Sequence, residues 1–179
     1  MFQVSRDNPA YYMTSVTHDR LLIFQTDAIK TVVAAALNEA RKSGGIMIFA
    51  YVLMLDHYHV LTDSPRAIKG VLRFLNGISA RRVIDHLKAN RHDQSLAKLR
   101  IAEQADTQKY SVYQHHPNAI RITGEDALVQ KVNYIHLNPV RAGLVEHPDD
   151  YLYSSARLWH NRPLEDEPLV TDHLKIAWR

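Results

Sequence analysis

Ten consecutive apolar residues at positions 46–55 (IMIFAYVLML), followed directly by DHYHVLTD, constrain the fold more than any other stretch of the chain. The run has about half the length needed to cross a bilayer, so it belongs in a protein interior. Residues 46–53 suit a buried central strand, and a short turn at 54–56 returns the chain into a second strand that carries His57 and His59. The two are expected to pair as a hairpin.

The flanking segments change period. YYMTSVT at 11–17 mixes aromatic and β-branched residues and reads as another strand. From Thr26 onward Ile29, Val32, Val33, Ala36, Leu37 and Ala40 recur at helical spacing, with Thr26 or Asp27 as cap and Gly44 with Gly45 as stop. Ser64 and Pro65 open a long helix whose buried stripe is Ile68, Val71, Leu72, Leu75, Ile78, Val83, Ile84 and Leu87. Residues 90–109 are polar and carry no firm pattern beyond one short helical stretch, and a strand follows within 111–122. Thr123, with Asp126 completing a capping box, starts a last helix that Pro139 ends or kinks.

Strand, helix, strand, strand, helix, strand, helix is the order of the split β-α-β. The expected fold is therefore α+β, a ferredoxin-like antiparallel sheet with helices on one face. Length and pattern suggest one domain at 1–145 and a C-terminal arm at 146–179, acidic and Pro-containing, packed on it. With 46% hydrophobic and 23% charged residues, low-complexity and wholly disordered classes drop out. The absence of Cys removes disulfide frameworks, thiol nucleophiles, zinc fingers and iron-sulfur clusters, and fits a reducing compartment. The first ten residues lack the apolar centre of a signal peptide, so the expected setting is cytoplasmic, with no membrane.

Charge is unevenly placed. The net value is +3, but residues 66–100 hold nine basic and two acidic side chains, leaving the rest of the chain at −4. Such a tract suits a polyanion-binding face, and equally a solvated helix surface. Lys69, Arg73, Arg81 and Arg82 are spaced over roughly three turns of the long helix and could neutralise several phosphates. Arg141 follows the last helix closely enough to approach any site built there.

Two groups of residues have chemical potential. His57 and His59, one residue apart on a strand, share a face and could both reach one ion. With 11 His in 179 residues, chance alone gives about 0.7 such pairs, so the spacing does not identify a site by itself. His115 and His116 are adjacent, point oppositely on a strand and make a poorer pair. Tyr134 and Asn138 are four apart on the last helix, hence on one side of it. The buried stripe of that helix centres on Leu128, Val132 and Ile135, and Tyr134 falls about 120° away from it, unlike a core residue. His136, on the opposite shoulder, reads as structural.

These stretches together, YVLMLDHYHVL, LRFLNGISARRVIDHLK, VYQHHPNAIRI and above all YIHLNPVRAGLVEHPDDYLYSSA, resemble the single-tyrosine HUH transposases, and most closely the REP-associated tyrosine transposase branch. The resemblance extends over most of residues 11–159. It implies that His57 and His59 are metal ligands, that Tyr134 is the nucleophile and that Asn138 supplies a third ligand from its amide. The HUH position between the histidines is Tyr58, larger than the common Val, and Leu55 stands where the family usually has Pro.

The implied function is metal-dependent cleavage and rejoining of single-stranded DNA beside a hairpin through a 5′-phosphotyrosine. A phosphotyrosine conserves the energy of the broken phosphodiester, so rejoining needs no ATP. A free phenol has a pKa near 10, and a nearby cation or base must therefore assist the attack. Two neutral imidazoles and an amide leave a divalent ion its full charge, which fits Mg²⁺ or Mn²⁺. The expected partner is single-stranded DNA, in particular hairpin-forming repeats. A catalytically silent DNA-binding regulator and a hydrolase that transfers to water are the competing readings. Monomer and homodimer stay open, and with them whether Tyr134 serves its own chain's ion site.

Overall fold

The computed structural model describes residues 1–65, 67–101, 110–114 and 118–178. The elements run β1 (Ala10–Val16), α1 (Asp27–Gly44), β2 (Ile48–Leu53), β3 (His57–Thr62), α2 (Ile68–Ala89), α3 (Asp93–Leu99), β4 (Asn118–Ile122), α4 (Glu125–Arg141) and α5 (Ala156–Trp159), with short 3₁₀ turns between some of them. The four strands form one sheet in the order β2-β3-β1-β4, each neighbour antiparallel, which is the ferredoxin-like arrangement expected. β2 is buried at all six positions because it carries apolar side chains on both faces.

The distribution of helices differs from the expectation of a single covered face. α1 and α2 pack against each other, and α2 meets the sheet on the face of Tyr58, whose hydroxyl donates to Asn76 Oδ1 at 2.5 Å. α4 instead packs against β2 and β3, and its Tyr134 ring lies beside His59, which neighbours Tyr58 in the strand and so points the other way. The split β-α-β accounts for α1 and α2 on one side. α4 follows the last strand and must bury its own stripe of Leu128, Val132 and Ile135, which it does on the face left open. Each such side chain contributes roughly 1.5–3 kcal/mol on burial.

Helix ends follow local chemistry. Thr26 caps α1 by accepting from the Ile29 amide, and Gly45, at φ +60°, closes it while Ile46 N donates back to Arg41 O. The capping box expected at Thr123 is not formed. Gly124 occupies the cap position of α4, and no side chain caps it. Pro139 does not end α4 either. The helix continues to Arg141 and stops at Gly143, φ +67°, with Gly143 N donating to Val140 O and Leu144 N to Pro139 O.

Residues 146–178 run along the outer edge of β2. Leu53 N donates to Tyr153 O, Tyr51 N to Ser155 Oγ, and Ile48 N to Asp172 Oδ2. Asp172 also receives Arg41 through two bonds of 2.6 and 2.8 Å. Tyr151 donates to Leu53 O, Tyr153 to Asp27 O and Trp159 to Phe49 O, so these aromatics pin the arm down. Among the described residues no helix is long and apolar enough to cross a membrane.

Candidate active site

Alternation along β3 sends His57 and His59 to the α4 face, with ring centroids 4.8 Å apart. Each ring is held through Nδ1. His57 Nδ1 lies 2.5 Å from Asp56 Oδ1, and Asp56 Oδ2 accepts from Arg20 Nη1 at 3.0 Å. His59 Nδ1 lies 2.8 Å from the Tyr12 hydroxyl and 2.9 Å from Thr14 Oγ1. Thr14 is the register partner of His59, and Tyr12 sits two residues along on the same face of β1.

α4 brings up the other two residues. Tyr134 is 38% exposed, and its ring centroid is 5.7 Å from His59 and 5.9 Å from Tyr12, edge-on to both. One turn on, Asn138 Nδ2 donates to Tyr134 O at 2.7 Å, which aims the amide oxygen, not the nitrogen, toward His59. All four residues singled out in the sequence therefore meet on one face of one chain. Cations frame the phenol. Lys131 Nζ lies 5.5 Å from the Tyr134 ring centre and 5.0 Å from that of Tyr12, and Arg141 Cζ lies 5.2 Å from Tyr134.

The electrostatics keep His59 neutral. Burial and the proximity of His57 push the His59 pKa down to about 3, against the opposing Asn138 hydrogen bond, so this ring is uncharged near neutral pH. Burial raises the Tyr12 pKa to about 12, keeping that hydroxyl protonated. Burial also raises the Asp56 carboxyl, but His57 and Arg20 outweigh it and hold it below the usual carboxylate range. With both Nδ1 atoms engaged, Nε2 of each ring and the Asn138 amide oxygen are the atoms left to face an ion, and a mixed N and O set of this kind fits a divalent ion with open positions.

The basic helix is not part of this cluster. Lys69, Arg73, Arg81 and Arg82 lie on α2, across the sheet from the histidines. Arg82 is fixed by two bonds to the Glu39 carboxylate, and Arg81 stands 3.9 Å from Asp85. Arg73, Arg81 and Arg82 line an open groove of about 740 Å³ with Phe74 and Ile78. Of the five basic residues singled out, only Arg141 reaches the site. His115 and His116 lie outside the described residues. His136 is buried and bonded to Ser155 Oγ at 2.9 Å, a structural role as expected. Tyr12, Thr14, Lys131, Asp56 and Arg20 complete the site. Period two along β1, helical spacing from Lys131 to Tyr134 and the adjacency of Asp56 to His57 were the available signals.

The class into which this α+β chain falls is that of the DNA transposases. The IS200-like transposase model matches residues 6–99, more than half of the chain, and the chain belongs to that family. The matched segment includes both histidines and α2 and ends before α4. Among solved structures, the REP-associated tyrosine transposase bound to a REP hairpin shares the fold, with a TM-score of 0.62 at 14% identity over 95% of this chain and 89% of that one. A protein of Deinococcus radiodurans R1 described as a candidate transposase matches at a TM-score of 0.49 and 19% identity, over 72% of this chain and 88% of that one, too distant to carry an argument. No curated protein matches.

Proposed function

We propose that the chain cleaves and rejoins single-stranded DNA next to a hairpin through a 5′-phosphotyrosine on Tyr134. The observation that carries this reading is the convergence of Tyr134, His57, His59 and Asn138 from two separate elements onto one face of the sheet. In the forward step the Tyr134 oxygen attacks phosphorus, the bond to the 3′ oxygen breaks, and the strand leaves with a 3′-hydroxyl after taking up a proton. The reverse attack by a 3′-hydroxyl restores a phosphodiester and frees the phenol.

His57, His59 and Asn138 would hold Mg²⁺ or Mn²⁺, which when bound supplies Lewis-acid polarisation of the scissile phosphate. Lys131 and Arg141 place positive charge beside the phenol and the phosphate it attacks. Tyr134 is exposed enough for a strand to reach it, while His59, 4% exposed, keeps a fixed orientation behind it. Membership of the transposase family and the likeness in fold to a hairpin-bound REP-associated transposase support a hairpin-forming DNA partner.

The test is incubation with a labelled single-stranded hairpin and Mn²⁺, followed by denaturing electrophoresis. A covalent protein–DNA adduct in the wild type that disappears in Tyr134→Phe is the expected result. Binding without any adduct would return the silent regulator, and cleavage that survives Tyr134→Phe would return the hydrolase.

A further inference from the structure

We infer that Asp56 is a positioning residue for His57, clamped for that task by the loop that carries Arg20. The inference rests on the ion site proposed above. Among the described residues Asp56 is the one carboxylate hydrogen-bonded to either histidine of the pair. One of its oxygens accepts from His57 Nδ1 and the other from Arg20 Nη1, while both side chains of the Asp56–His57 pair are more than four-fifths buried. Its backbone is held as well, since Thr17 donates to Asp56 O through both its amide and its hydroxyl, each at 2.8 Å.

The loop that delivers Arg20 is strained for this geometry. Asp19 and Arg20 have φ values of 50° and 53°, two successive non-glycine residues in the left-handed region, and the one proton of the Thr17 hydroxyl is shared between Asp56 O and Leu21 O, the latter at 2.7 Å, which ties the loop's end. Backbone strain of this kind persists where surrounding contacts over-determine it. Here the contacts are those that fix the turn before His57.

The chemical consequence concerns which nitrogen carries the proton. A neutral imidazole has one lone pair, and donation of Nδ1–H to a carboxylate leaves that pair on Nε2 and makes it more basic. His59 is backed by two neutral hydroxyls and His57 by a charge. The two rings therefore present the same nitrogen to the ion but differ in donor strength, with His57 the stronger. Both Asp56 oxygens are already taken, one by His57 and one by Arg20, so Asp56 acts through His57 and not as a third ligand.

Mn²⁺ titration of the full chain, followed by the electron paramagnetic resonance signal of the free ion, tests this. Asp56→Ala should weaken binding by about 10–100-fold. Asp56→Asn, which keeps an acceptor oxygen of the same shape, should recover part of the loss. Arg20→Ala should cost less and add nothing on top of Asp56→Ala, because it acts only through Asp56. In the metal-free protein, imidazole ¹⁵N spectra should show His57 as the Nδ1–H tautomer, and a mixture in Asp56→Ala. Unchanged Mn²⁺ affinity or an unchanged tautomer in Asp56→Ala would overturn the inference, as would an Asp56→Asn loss as large as that of His57→Ala, which would make Asp56 a ligand. If wild-type binding is absent, or indifferent to His59→Ala, it is the ion site itself that fails.

Discussion

Two imidazoles are buried uncharged, and this makes stability depend on pH in a calculable way. Burial lowers the pKa of His59 and of His136 from the ordinary 6.5 to about 3, the nearest further influence on His136 being His160, opposed by Asp149. Both residues are 4% exposed. In the unfolded chain each ring takes up a proton below pH 6.5, whereas the folded chain resists it until about pH 3. Stability is therefore complete above pH 6.5 and declines as pH falls through that window. Each ring costs about 1.4 kcal/mol per pH unit, so at pH 5 the loss is about 2 kcal/mol for one ring and roughly 4 kcal/mol for both. Urea unfolding followed by circular dichroism, with chelator present and the pH stepped from 7.5 to 5.0, measures it. His136→Gln, which retains a polar partner for Ser155, should remove about half of the slope. A wild type equally stable at pH 7.5 and 5.0, or a slope unaltered in His136→Gln, would refute the reasoning.

Two further predictions concern ion pairs. Asp172→Ala strips Arg41 of both its acceptors and leaves the Ile48 amide without its side-chain partner, and the loss of one member of a buried pair is expected to cost about 3–5 kcal/mol in chemical denaturation. Lys131→Ala and Arg141→Ala should each lower the salt slope of single-stranded DNA binding by about 1, while Arg82→Ala, whose guanidinium is already taken by Glu39, should leave it nearly unchanged. Fluorescence anisotropy over a salt series distinguishes these, and an equal effect from Arg82→Ala would place the reacting strand on the wrong face.

What could be read from the chain was whatever a single period encodes. The twofold repeat put His57 and His59 together, and the 3.6-residue repeat put Tyr134 and Asn138 on one side of a helix away from its buried stripe. The supports of His59 were hidden for a different reason. Tyr12 and Thr14 reach it only through the register between β1 and β3, strands more than forty residues apart, which no local pattern specifies. The basic tract was visible as charge, but the face it occupies depends on how α2 crosses behind the sheet. Pro139 misleads because a helix can run through proline when its termination is set elsewhere, here by the left-handed Gly143. The candidate cap at Thr123 fails by one residue, within the uncertainty of any boundary judged from propensity.

The course of the arm along β2 also governs how these molecules can associate. An uncovered strand flank offers amides and carbonyls to any passing chain, and here one flank of the sheet is sealed by residues of the same polypeptide. Lateral growth, strand exchange or template-like pairing is left the β4 side among the described residues, where the charge of Arg121 works against it. Losing the arm would open the other flank and remove buried side chains such as Leu169 and Ile176 from the core, so self-association is expected together with a loss of stability.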